Sequence, residues 1–240
     1  YVLKSRNQAM RKPKFTEGQI YHIYNRGVEK RNIFLDDKDY FRFIHDLFEF
    51  NEADPVLNVK YYFDPRAMII KSEHSNERKP RNLLVEILLF TLMPNHFHLL
   101  LRQKKENGIV KFMQKLGTGY SMYFNQKHDR VGGLFQGRFK AVLINREAHF
   151  IHLPTYIHTN PLSLNYGGST SIDSLEILEN YRWSSFPDYI GKKNFHSVTH
   201  RGFLLKFFGG EEKYRQHTEK WLIENEKNKG VEMISDVILE

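Results

Sequence analysis

The apolar positions of the chain change period several times, and each change marks an element. QIYHIYNRG, residues 19–27, has the β-branched and aromatic content of a strand, and Gly27 ends it. Asp36 or Asp37 can cap the helix that follows, in which Tyr40, Phe43, Ile44, Leu47 and Phe48 recur at helical spacing. ILLFTL and HFHLLLRQ read as two strands joined at MPN, because Pro94 fixes φ and Asn95 tolerates turn geometry. In GIVKFMQKLGTGYSMYFNQKH, residues 108–128, Val110, Met113, Leu116, Tyr120 and Tyr123 or Phe124 fall on one helix face. Gly117 and Gly119 each weaken that helix by about 1 kcal/mol relative to alanine, which points to a close packing contact there. A glycine-rich turn then leads to a strand from about Gln136 to Ile144, and Glu147 opens a helix that Pro161 stops.

The resulting order is strand, helix, strand, strand, helix, strand, helix. It predicts an α+β fold with a ferredoxin-like four-stranded antiparallel sheet, helices over one face, and the other face left open to a ligand. Between Asn51 and Arg81 the pattern breaks down around Pro55, Pro65 and Pro80, although VLNVKYYF fits an extra strand or short hairpin. The expected organisation is a basic arm over 1–17, a main domain over 18–165 with an insertion at about 51–82, and a C-terminal helical appendage over 166–240. Within the appendage, FLLKFFGG and KYRQHTEKWLIENE suggest two short amphipathic helices.

Composition narrows the classes. Apolar and charged fractions of 40% and 27% are those of a globular chain. Lys plus Arg exceeds Asp plus Glu by 36 to 28, a formal charge of +8 that favours a polyanionic partner. The absence of cysteine excludes disulfides, thiolate nucleophiles and zinc fingers. No apolar run approaches the roughly 20 residues that span a bilayer, so no membrane partner is expected. YVLKSRNQAMRKPK lacks the apolar run of a secretory signal, so the expected location is cytoplasmic.

Two stretches carry candidate chemistry. On a strand, His96 and His98 share one face while Phe97 and Leu99 take the other, so two imidazoles project side by side. They suit a divalent metal once further donors arrive, or they are a pair of half-buried histidines bonded to backbone. In HFIHLPTYIHTNP, Tyr156 and Asn160 lie four residues apart and share a helix face, with His152 one turn earlier. A metal held by His96, His98 and the Asn160 oxygen would polarise a phosphate for in-line attack by Tyr156. Tyr156 is one of thirteen tyrosines, most of them packing residues, and Tyr120 and Tyr123 are helical alternatives. His152 fits a further ligand, a proton acceptor or a surface residue.

IYHIYNRG, LMPNHFHLLL, YFN, GGLFQGRFKA, YIHTNP and WSS occur in an order that resembles the single-tyrosine HUH transposases, especially the REP-associated tyrosine transposases. The resemblance spans most of residues 18–190, omitting the insertion. It implies a ferredoxin-like HUH domain with His96, His98 and Asn160 as metal ligands, Tyr156 as nucleophile and Mg²⁺ or Mn²⁺ as cofactor. The implied substrate is single-stranded or hairpin DNA, cleaved and rejoined through a 5′-phosphotyrosine. Arg26, Arg138 and Lys140 resemble the DNA contacts. Relatives include dimers that exchange the tyrosine helix, so a homodimer is among the expected states, and also monomers. Two positions depart from the pattern: Pro154 removes a hydrogen bond just before Tyr156, and Thr155 stands where many relatives carry arginine. A hairpin-binding protein without cleavage and a phosphoesterase that activates water remain alternatives.

Overall fold

In a computed structural model, residues 14–54, 61–64, 69–72, 81–164 and 171–225 are described. Most of the expected basic arm, much of the insertion and the final residues after 225 lie outside them.

Four strands build the main sheet: β1 (Ile20–Arg26), β4 (Val85–Met93), β5 (His96–Gln103) and β6 (Lys140–Ile144). Their spatial order is β4-β5-β1-β6, and every neighbouring pair is antiparallel. With helices α1 (Asp37–Glu49) and α2 (Gly108–Lys127) as crossovers, this is the ferredoxin-like arrangement that the element order predicts. The insertion contributes a separate antiparallel hairpin, β2 (Tyr61–Asp64) with β3 (Ile69–Ser72).

Local chemistry explains the boundaries. Asp36 caps α1 by accepting the Asp39 amide at 3.1 Å. Gly27 is required where β1 ends, because a Cβ there would collide with the carbonyl oxygen of Arg31. The glycine pair in α2 divides: a Cβ on Gly119 would meet the Phe50 ring at 2.5 Å, whereas one on Gly117 would enter open space. Only Gly119 is therefore a packing glycine. β6 is shorter than the expected 136–144, since Gln136–Phe139 is spent on a turn docked to β1, with the Gln136 amide donating to the Arg26 carbonyl at 2.7 Å.

One face of the sheet is an apolar layer. Tyr21, Ile23, Phe97, Leu99 and Leu101 meet Phe43, Ile44 and Leu47 of α1 and Phe112, Leu116 and Tyr120 of α2. The other face is not left open as the pattern alone suggests. α3 (Glu147–Thr159) lies across it, followed by α4 (Ser171–Asn180), α5 (Phe186–Tyr189), α6 (Gly202–Phe208) and α7 (Glu211–Asn225). The apolar residues that these helices need to bury, among them Leu178, Phe186, Tyr189 and Trp221, have Ile20, Leu88, Leu89 and Leu100 to pack on. The WSS segment closes the β4 edge, with the Leu92 amide donating to the Trp183 carbonyl at 2.9 Å and Phe90 donating to the Ser185 hydroxyl at 2.9 Å. α6 and α7 match the two expected amphipathic helices, and α4 was not legible in the pattern. Among the described residues, no helix is long and apolar enough to cross a membrane.

Candidate active site

The site forms where α3 ends over the β4–β5 turn. Period-two alternation sends His96, His98 and Leu100 toward α3 and sends Phe97, Leu99 and Leu101 into the α1/α2 layer. The ladder then fixes their neighbours. Tyr24 stands opposite His98, with Lys140 on its other side, and Arg26 stands opposite His96.

Each imidazole is held by its Nδ1. His96 Nδ1 lies 2.6 Å from the Asn95 side-chain oxygen. Asn95 donates its amide nitrogen to the Lys30 carbonyl at 3.3 Å, so its oxygen faces the ring and makes Nδ1 the protonated nitrogen. His98 Nδ1 meets His22 Nε2 at 2.9 Å, and both rings are buried. If His98 donates in that pair, its Nε2 also carries a lone pair. Burial keeps both rings neutral: it pushes His96 down to about 4, against a smaller opposing effect of Asn160, with Arg26 reinforcing the fall. His98 is driven well below the usual imidazole range by burial and by His22 and His96.

α3 brings the remaining groups. It continues through Pro154, so the proline does not divide it before Tyr156. Half-buried Tyr156 meets the His98 ring edge to face, with centroids 6.4 Å apart. Asn160 gives its amide nitrogen to the Tyr156 carbonyl at 3.0 Å, which leaves Oδ1 as a candidate metal-donor atom, and its side chain lies close enough to His96 to raise that ring's basicity. His96, His98, Tyr156 and Asn160 therefore come together within one chain. Two neutral imidazoles and an amide oxygen, with the far nitrogens already committed, are a donor set that fits a divalent transition ion or manganese.

The other expected residues spread outward. Arg26 lies beside His96 and donates to the Gln136 side chain at 3.3 Å. Arg138 and Lys140 are exposed on the strand and turn flanking the site, and the Lys140 ammonium sits 5.8 Å from the Tyr24 ring centre. His152 has Glu224 and His217 of α7 as its titratable neighbours. Thr155 is buried and faces Tyr214 of α7, so this position serves the helix packing. Tyr120 is excluded from surface chemistry, because it is fully buried and donates to the Ile33 carbonyl at 2.5 Å.

His22, Tyr24 and the side-chain role of Asn95 escaped sequence reasoning. The parity of IYHIYNRG, which puts His22, Tyr24 and Arg26 on one face, is the signal that could have found the first two. Of the described residues, His45, Asp46 and Glu49 also form a cluster with metal-binding geometry. It sits on α1, on the opposite side of the sheet, and Arg42 and His45 already pair with its carboxylates.

Residues 65–160, less than half of the chain, match the family described as "Transposase IS200 like". No curated protein matches. One solved structure to which the fold is similar is described as "Structure of the REP associates tyrosine transposase bound to a REP hairpin"; the identity is 12%, the TM-score 0.48, and the match covers 75% of this chain and 84% of that one.

Proposed function

From a chain whose residues 65–160 carry the IS200-like transposase pattern, we infer a single-stranded DNA transposase that cleaves and rejoins strands through Tyr156. The observation that carries this reading is the convergence of the His96 and His98 imidazoles, the Asn160 amide and the Tyr156 phenol at one end of α3. The substrate is DNA with a hairpin beside the cleavage point, in line with the REP hairpin bound by the similar structure.

The chemistry follows from the residues. Tyr156 Oη attacks phosphorus as it gives up its proton, the bond to the 3′ oxygen breaks, and that oxygen leaves as a hydroxyl after taking up a proton. A 5′-phosphotyrosine results, and attack by a 3′-hydroxyl reverses it without a nucleotide cofactor, because the phosphodiester energy is retained. A divalent ion, Mg²⁺ or Mn²⁺, would be held by His96, His98 and Asn160 and would supply charge stabilisation to the phosphate. His22 and Asn95 orient the two rings, and Arg26, Arg138 and Lys140 supply the cations that hold the backbone and make binding salt-sensitive.

α3 lies on its own chain's sheet, which supports attack in cis by a monomer. The test is incubation with Mn²⁺ and labelled hairpin DNA. A covalent adduct that disappears in Tyr156→Phe is expected. An undiminished adduct in that variant removes Tyr156 as nucleophile. Salt-sensitive hairpin binding with no adduct under any metal leaves a DNA-holding protein, and hydrolysis that survives the substitution leaves a water-activating phosphoesterase.

A further inference from the structure

Tyr24 has a hydroxyl that the described residues do not use. The residue is 7% exposed, and among the described residues its buried Oη has no hydrogen-bond partner. Other buried tyrosines behave differently. Tyr21 donates to the Lys14 carbonyl at 3.0 Å, Tyr189 to the Leu88 carbonyl at 2.6 Å, and Tyr214 shares a 2.7 Å bond with His158. Proteins seldom leave a buried hydroxyl unsatisfied unless something else completes it.

What completes it is set by its surroundings. Tyr24 lies on the site face of β1, its ring 5.9 Å from that of His98 and 5.1 Å from that of His22. Lys140 adds a cation at the ring from β6, and Arg26 follows two residues on along the same strand face. Burial, reinforced by the nearby Tyr156 phenol, pushes the Tyr24 hydroxyl up to about 12. That hydroxyl is a donor without an acceptor among the described residues. A phosphate oxygen supplies one, and flanking cations favour that anion over a neutral group.

We propose that Tyr24 is a second catalytic phenol, donating a hydrogen bond to a non-bridging oxygen of the phosphate that Tyr156 attacks. The inference rests on the strand-transfer reading. No proton changes hands at Tyr24; the hydrogen bond strengthens as charge builds on the phosphate and relaxes when the phosphotyrosine is formed. Because the partner arrives with DNA, no described residue pairs the hydroxyl in the free protein.

Tyr24→Phe separates this role from a structural one. Removal of an unsatisfied hydroxyl leaves the Tm of the free protein unchanged or raised, and leaves Mn²⁺ affinity within twofold by calorimetry. Single-turnover adduct formation at saturating hairpin DNA falls by at least about tenfold. With phosphorothioate substrates, the penalty shrinks for the one diastereomer that puts sulfur, a weak acceptor, opposite Tyr24. A rate within threefold of wild type, a lowered Tm, or an equal penalty for both diastereomers overturns the proposal. If the wild-type protein gives no Tyr156-dependent adduct at all, the strand-transfer reading has failed and this inference goes with it. If that adduct forms and Tyr24→Phe matches it, the inference alone fails.

Discussion

His98 and His158 are both buried imidazoles, yet their ring nitrogens are engaged differently. His158, on α3, has Nδ1 2.7 Å from the Tyr214 hydroxyl and Nε2 2.8 Å from the Ser185 hydroxyl. Both nitrogens are spent inside the fold, and the ring ties α3 to α7 and to the WSS segment. Among the described residues, the His98 ring hydrogen-bonds only through Nδ1, to His22. The two environments share burial and lowered basicity, so neither property separates a structural histidine from the proposed ligand. The count of committed nitrogens does, and it also separates Tyr24 from the tyrosines whose hydroxyls are paired.

That contrast can be broken experimentally. His98→Ala should abolish specific Mn²⁺ binding, measured by calorimetry, with a smaller change in Tm. His158→Ala should do the reverse. It leaves the Tyr214 hydroxyl without its 2.7 Å partner and opens a cavity, so a stability loss of roughly 2–4 kcal/mol is expected by denaturant unfolding, with Mn²⁺ affinity little altered. A comparable loss of metal affinity in both variants would end the distinction. His22→Phe keeps the ring's bulk but removes the bond that orients His98, and should weaken Mn²⁺ binding by about 10–100-fold.

Acid sharpens the same comparison. Burial depresses His158 to about 3 in the folded chain, below the ordinary imidazole value of about 6.5. Between those values the unfolded chain binds more protons, so stability is fully present above pH about 6.5 and is lost as pH falls toward 3. Replacing His158 with Gln should flatten that slope in pH-dependent unfolding. The smallest effect is expected at Gly117→Ala, where open space for the methyl group should give a gain of about 0.5–1 kcal/mol. Gly119→Ala, against Phe50, should instead destabilise.

The element order and the histidine face were legible because both follow from local periods, such as alternation on β5 and i,i+4 spacing on α3. Tyr156 and Asn160 could thus be placed on one helix face before any coordinates. The partner of His98 could not. His22 lies 76 positions away, and only the register of β1 on β5 brings them together. The same holds for Tyr24, whose missing partner is a property of its surroundings. The cover over the second sheet face was misread because α6 and α7 announce their apolar faces without saying what they pack on, and α4 announces none. The β4 irregularity between Ile87 and Leu89, which turns both Leu88 and Leu89 into that second layer, leaves no sequence signature at all.

β1 is central in space although it is early in the chain. It emerges first during synthesis, but its two flanking neighbours, β5 and β6, follow only after residues 103 and 144 have been made. The β4–β5 hairpin closes through local contacts, whereas enclosing β1 requires long loops to close. His22 and Tyr24 should therefore reach their places late in folding, after the arm bearing His96 and His98 has formed. A chain truncated before residue 140 would present paired imidazoles on a sheet still missing one flank, so the chemistry should be withheld until synthesis of the domain is nearly complete.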